Sequence, residues 1–300
     1  MSVSIEVPLH VTGFFRAHLH ENPLYAGSIG AGFSFQTYLK TTVKINELGE
    51  IRIFINGEEK TEEAKTSYTA AEQFFERCEI FEGVDIFHEV PAPIGCGLAT
   101  SGAGALGVVF GLNELFGMGI NKVELAQIAH VAEVENKTGL GSVIAQYEGQ
   151  FEIRLKPGAP GIGVVKRIPV DAEVAIIVFG EIPTPEILKS EEKIKKIENA
   201  FDNKNEILAS AFSIEKFCEL SLDFAKRSGL LTRRGERILE IAKKYDLIGS
   251  QLMIGDGVFL FGDDLRTKIK RILGEIEEKP IKVIVSGIDN IGVRISETKM

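Results

Sequence analysis

Residues 91–107 read PAPIGCGLATSGAGALG, with five glycines, almost no large side chains, and a helical pattern directly behind them. Glycine in such density weakens secondary structure, because it has the most backbone entropy to lose on folding. Something has to offset that loss. From Ser101 onward Ala105, Val108, Val109, Leu112, Leu115 and Phe116 recur at steps of three and four, the period of a helix with a buried face. Residues 84–90 read as a strand. A strand, a glycine turn and a helix starting near Ser101 make an anion cradle. The first helical amides have no intrahelical partner, and the helix dipole puts roughly half a positive charge at that end. The plainer reading is that Gly95, Gly97, Gly102, Gly104 and Gly107 only let a helix pack tightly on a sheet.

Two familiar phosphate motifs are excluded. No G-x-x-x-x-G-K-[ST] run and no lysine lie near the loop, so it is not a P-loop. A dinucleotide-binding unit needs a second parallel strand ending in an acidic residue about twenty positions on. Here a second helix follows instead, N-capped by Asn121, running to about Lys137 and closed by Gly139.

The 300 residues exceed the usual size of one hydrophobic core, which predicts two packed domains. Hydrophobic residues at 44% and charged residues at 26% exclude a disordered or low-complexity chain. A net charge of -9 carries no footprint for nucleic acid, and an anionic substrate would need a local cationic pocket. Cys78, Cys96 and Cys218 are odd in number and share no metal-ligand spacing, as in a reduced, cytoplasmic protein. The opening MSVSIEVPLHVTGFF lacks a signal-peptide pattern. The most apolar window, residues 103–120, is interrupted by Asn113, Glu114 and five glycines, which disfavours a membrane span.

Along the chain the pattern predicts strands at 4–7, 33–45 and 51–55 and a helix at 67–78 before the strand and helices already placed. The run LKPGAPGIGVVKRIPV, with three prolines and three glycines, is the expected domain boundary, giving domains 1–168 and 169–300. Beyond it come a buried-type strand at 172–180 and helices at 184–198, 204–228 and 231–245. A hairpin at 252–262, a helix at 263–274 and a closing strand pair, KVIVSG and GVRI around IDN, complete an α+β half with an antiparallel sheet.

The segment Pro93-Ile94-Gly95-Cys96-Gly97-Leu98-Ala99-Thr100-Ser101-Gly102-Ala103 resembles the Pro-x-x-x-Gly-Leu-x-Ser-Ser-Ala signature of the GHMP kinases, the family of galactokinase, homoserine kinase and mevalonate kinase. HVTGFF at 10–15, GSIGAG at 27–32, AHVAEVENKTGLGSVIAQYEG at 129–149 and IDNIGVRI at 288–295 are similar to segments of the archaeal pantoate kinases within that family. The resemblance covers both halves. It implies a two-domain α+β fold, with an N-terminal domain like domain 2 of ribosomal protein S5 and a ferredoxin-like C-terminal domain. It also implies an ATP- and Mg2+-dependent kinase that phosphorylates the primary hydroxyl of pantoate, a small-molecule substrate. No nucleic acid or membrane partner is expected, and a homodimer is left open.

Carried over position by position, the resemblance assigns the nucleotide phosphates to Pro93, Gly95, Gly97, Leu98, Ala99, Thr100, Ser101 and Gly102. Ser101 and Glu133 would hold the metal, a hard cation that prefers oxygen ligands. Glu133 could otherwise form a solvated i,i+4 pair with Lys137. Ser28, His130 and Arg154 would contact the acceptor, Arg154 by paired hydrogen bonds to a carboxylate. Their plain alternatives are a turn serine, a structural histidine and an ion pair with Glu152. In QFEIRL, Phe151, Ile153 and Leu155 should share one strand face, with Glu152 and Arg154 on the other.

One departure bears on catalysis. Pantoate kinases usually show an aspartate within GLGD, whereas this chain reads Gly139-Leu140-Gly141-Ser142. Glu133 and Ser142 are therefore the candidate catalytic pair. Loss of a positioned base typically costs about 10²- to 10⁴-fold in rate. On one reading the chain is a weakened relative that binds nucleotide or substrate as a regulator. On the other, a loose transition state needs little early deprotonation. Glu133, a water held by Ser142 or the γ-phosphate then takes the proton late. A GHMP kinase acting on another small hydroxy acid is a third reading.

Overall fold

In a computed structural model of the chain, which describes residues 1–182 and 191–299, the apolar pattern resolves into two sheets with helices on their faces. The first half contains β1 (Ser2–His18), β2 (Gly27–Asn46), β3 (Ile51–Ile55), β4 (Glu58–Glu59), α1 (Lys65–Cys78), β5 (Gly83–Glu89), α2 (Thr100–Phe116), α3 (Lys122–Glu135), α4 (Ser142–Gln146), β6 (Phe151–Lys156) and β7 (Val164–Ile168). Then follow β8 (Glu173–Glu181), α5 (Glu191–Phe201), α6 (Lys204–Ser210), α7 (Ile214–Ser228), α8 (Arg233–Lys243), β9 (Ile248–Gln251), β10 (Gly255–Phe261), α9 (Leu265–Glu275), β11 (Lys282–Gly287) and β12 (Arg294–Lys299).

The first sheet has the order β12-β1-β2-β5-β3-β4, with β6 branching from β2 and carrying β7. Its pairings are antiparallel except β3 on β5. Strand β2 divides its partners: residues 40–46 pair with β5, and residues 30–33 pair with β6. The second sheet, β11-β8-β10-β9, is antiparallel throughout.

Glycines of α2 bring the helix against β2 of the first sheet, at Thr41 and Val43, and against α1, at Ser67. A Cβ on Gly107 would stand 2.1 Å from Thr41 Oγ1, one on Gly104 2.9 Å from Ser67 Oγ, and one on Gly111 3.0 Å from a Val43 methyl. Thus the close-packing reading holds for these positions, while the loop glycines have other work. On the opposite side, Phe33 of β2, Phe151 of β6, Phe217 of α7 and Phe259 of β10 form one cluster, with ring centroids 5.2 Å apart for Phe33–Phe151 and Phe151–Phe217 and 5.4 Å for Phe33–Phe259. A single core therefore runs between the sheets. Alternate residues of β8 and β10, Ala175, Ile177, Val258 and Leu260, face away from it onto Ile238 of α8 and Ile269 and Ile272 of α9.

Several expectations are corrected. Strands β1 and β2 run far beyond residues 4–7 and 33–45, because bulges let the pairing continue past Pro8 and Gly13. The segment 204–228 is two helices: Ser213 has extended backbone, and its side chain accepts from the Lys216 amide as the N-cap of α7. Helix α3 stops at Glu135, with Lys137 left-handed at φ 56°. The Pro/Gly run contains β7, and the short helix α4 was not anticipated. GVRI does not pair with KVIVSG: β11 joins the second sheet, while β12 crosses to the edge of β1. Of the helix expected at 184–198, residues 184–190 lie outside the described ones. We propose the division at 168/169, with β12 returning across it. Among the described residues no helix is long and apolar enough to cross a membrane.

Candidate active site

The quoted loop leaves β5 and turns twice through the left-handed region, at Gly95 (φ 80°) and Gly97 (φ 77°). These two positions favour glycine twice over. A Cβ on Gly97 would stand 2.5 Å from the Met253 carbonyl in the β9–β10 turn, and one on Gly95 2.8 Å from the Glu181 carboxyl carbon. Ala99 is also left-handed (φ 56°), and no side chain caps α2. The first intrahelical bond is from the Ala103 amide to the Ala99 carbonyl, which leaves the amides of 100–102 without intrahelical partners. The loop is tied down from behind: the His10 amide donates to the Leu98 carbonyl at 3.3 Å. Gln146 Nε2 donates to the carbonyls of Ala99 at 3.1 Å and Pro8 at 2.9 Å. Pro93 and Thr100 flank this loop half-buried, and Leu98 is enclosed.

Glu133 of α3 lies beside the start of α2. Ser101 Oγ donates to its Oε1 at 2.8 Å and Ser142 Oγ to its Oε2 at 2.6 Å. The carboxyl is 1% exposed, which displaces the solvated pair with Lys137. Burial pushes Glu133 above the usual carboxylate range, opposed by the bonds from Ser142, Ser101 and the Val143 backbone. Among the described residues no lysine or arginine pairs with it. Nor do they hold a cluster of three His, Cys, Asp or Glu that could bind a metal unaided. One buried carboxylate and two hydroxyls are hard oxygen donors that fit a cation whose other ligands come from elsewhere, as phosphate oxygens would.

The segment 139–142 passes between two sets of groups. A Cβ on Gly139 would stand 2.5 Å from both Glu133 Oε1 and Ser142 Oγ. A Cβ on Gly141 would stand 2.3 Å from Ser28 Oγ and 3.1 Å from Arg154 Nε. Glu133 and Ser142 thus lie on one side, and Ser28 and Arg154 are brought together on the other. Arg154 is fully buried, and its Nη1 donates to Glu152 Oε1. Burial lowers the guanidinium from its usual range, Glu152 opposes the shift, and Arg167 adds to it. Both faces of β6 are enclosed from Phe151 to Arg154, but a bulge after Arg154 leaves Leu155 exposed, off the face it was expected to share.

His130 does not join Arg154. Its Nε2 donates to the carbonyls of Ala26 at 3.0 Å and Pro23 at 3.2 Å, fixing the turn that delivers Ser28, and burial lowers its pKa. The ion pair with Glu152, the plain alternative for Arg154, is present. Sequence reasoning missed Gln146, wholly buried and bonded to the loop, and the bond from His10 to Glu152. The available signal was polar residues at positions flanked by apolar ones. Gly139 and Gly141 were visible as glycines but not as spacers.

The fold and this arrangement define a class, and the comparisons agree with it. The family model for the GHMP kinases N terminal domain matches residues 65–150. A pantoate kinase of Thermococcus kodakarensis is 35% identical, covering 92% of this chain and 93% of its own. One of Methanocaldococcus jannaschii is 38% identical over 84% and 90%. A solved structure described as a phosphotransferase related to the CoA biosynthesis pathway is 31% identical, covers 99% of each chain and superposes with a TM-score of 0.88. The chain belongs to the GHMP kinases, among the pantoate kinases.

Proposed function

We propose that the chain transfers the γ-phosphoryl group of ATP to the primary hydroxyl of pantoate, giving 4-phosphopantoate. The observation that carries this reading is the pairing of one buried carboxylate, Glu133, with hydroxyls from both the uncapped helix start and the 139–142 segment. Phosphoryl transfer asks a protein mainly for position and charge neutralisation. The amides of 100–102, with Gly95 and Gly97 letting the backbone come close, would receive the polyphosphate. Ser101 and Glu133 would hold Mg2+, which would supply charge neutralisation for the transferred phosphoryl group. Arg154 and Ser28 would take the pantoate carboxylate, leaving its hydroxyl end toward Glu133 and Ser142.

Ser142 keeps a second reading in view. Its hydroxyl donates to Glu133, and a serine hydroxyl is a poor proton acceptor, so a weakened, ligand-sensing relative is the competing function. Incubating purified protein with ATP, Mg2+ and pantoate, followed by phosphorus NMR, separates the two. A new phosphomonoester signal with stoichiometric ADP is expected. Nucleotide binding without product supports the sensor, and product from homoserine or mevalonate but not pantoate changes the acceptor.

A further inference from the structure

We propose that Glu152 is a positioning residue for the acceptor: it holds Arg154 by one end of the guanidinium, so that the Nε edge stays free toward Ser28 and Gly141. The inference rests on the reading of Arg154 as the contact for the acceptor carboxylate. Glu152 and Arg154 sit two apart on β6, opposite Gly32 and Gly30 of β2. Those two glycines, with Ser28, occupy alternate positions of β2 and so share a face. A Cβ on Gly30 would stand 3.1 Å from Arg154 Nη2, and one on Gly32 2.5 Å from His10 Nε2. The bare positions in GSIGAG let side chains from the strands on either side lie across β2, His10 from β1 and Arg154 from β6. They converge on Glu152, whose Oε1 accepts from His10 Nε2 at 3.1 Å and from Arg154 Nη1.

All three residues are 1% exposed, yet the network is not closed. Arg154 Nε and Glu152 Oε2 are buried without a hydrogen-bond partner. Such atoms are few in native proteins and call for an explanation. The Nε edge adjoins the space that a Gly141 side chain would occupy, which also borders the Ser28 hydroxyl. A guanidinium edge and a hydroxyl converging on a bare glycine suit a carboxylate, with charge-assisted bonds in a fixed fork geometry. Removing Glu152 would leave a buried cation uncompensated and free to change rotamer. Its effect on the acceptor therefore passes through Arg154.

Steady-state kinetics of Glu152→Met and Glu152→Gln, with pantoate and ATP varied separately, test this. Glu152→Met should raise KM for pantoate about tenfold or more while KM for ATP moves less than about twofold, tenfold corresponding to about 1.4 kcal/mol. Glu152→Gln keeps an oxygen acceptor for Nη1 and should bring the pantoate KM back to within about threefold of the parent. An unchanged pantoate KM in folded Glu152→Met, or both KM values rising together, overturns the proposal. Should Glu152→Met fail to fold, His10→Asn, which removes only the other bond to Glu152, should still raise the pantoate KM by about threefold. An unchanged value there overturns it too. A parent protein that phosphorylates no pantoate overturns both this role and the functional reading; a working parent with insensitive variants overturns this role alone.

Discussion

Ser142 donates to Glu133 Oε2 across 2.6 Å, and an aspartate there would bring a second carboxylate against one already enclosed. Two like charges so close cannot both ionise without a cation between them. In ligand-free protein Ser142→Asp should therefore lower unfolding free energy by about 1–3 kcal/mol. With ATP and Mg2+ present the same carboxylate can accept the hydroxyl proton, and kcat should rise by about tenfold to a hundredfold, within the range of a positioned base. Denaturant melts and initial rates check the two halves; neither moving would show that position 142 does not face the transferred group. Ser101, Glu133 and Ser142 were legible in the sequence because each belongs to a segment that resembles a family motif. The bonds of Gln146 to Pro8 and of Glu152 to His10 were not, since they span 138 and 142 positions and no local period records so distant a partner, whereas the Glu152–Arg154 pair, two apart on one strand, was. His130 was assigned to the acceptor through the family resemblance alone; its Nε2 donates to the Pro23 and Ala26 carbonyls, the structural role that was its plain alternative.

At the scale of elements, the glycine face of α2 sits over an enclosed histidine of β5. His88 is held by Thr41 Oγ1 at 2.9 Å from Nδ1 and Ser67 Oγ at 3.0 Å from Nε2, with no ion pair. Burial pulls its pKa down to about 4 from the usual 6.5. The unfolded chain therefore binds a proton that the folded one refuses. The stability tied to a neutral His88 is complete above pH 6.5 and declines as the pH falls toward 4. At pH 4.5 the loss should be about 2.5 kcal/mol relative to pH 7. His88→Gln should lack that share of the acid sensitivity in urea melts at the two pH values. Comparing the two proteins cancels the carboxylates, Glu133 included, and parallel losses would refute the assignment. Elements with a strong local signal, such as β3 and the Asn121 cap, were legible, because alternation and capping are encoded within a few residues. Strand β7 was not: prolines and glycines just upstream mark the turn, while its pairing depends on β6.

Across the whole molecule, β12 is the element that local pattern could not place, since its position is decided by a turn and by an edge elsewhere. The turn is built on Asp289, which is 1% exposed. Its Oδ1 accepts from the amides of Ile291 at 3.1 Å and Gly292 at 2.7 Å, and its Oδ2 from Tyr38 Oη at 3.0 Å and Arg294 Nη2 at 2.8 Å. The Asp289 backbone adds bonds to Ser34 of β2 and to Gln150, just beyond the helix that carries Ser142 and Gln146. The chain leaving the second sheet is thereby turned onto the open edge of β1, which β12 covers. Asp289→Ala would leave Tyr38, a guanidinium and two amides without this partner. Breaking a buried charge pair costs about 3–5 kcal/mol, a large share of the 5–15 kcal/mol that holds a typical domain folded. Asp289→Asn retains an oxygen for either the amides or Tyr38 and should lose less. Because β12 closes the first sheet and the turn braces α4, the alanine variant should lose stability and pantoate phosphorylation together as temperature rises. Denaturant unfolding followed by circular dichroism, alongside residual activity after heating, measures both. A loss below about 1 kcal/mol, the level of an ordinary surface change, would mean that the turn does not hold the sheets together.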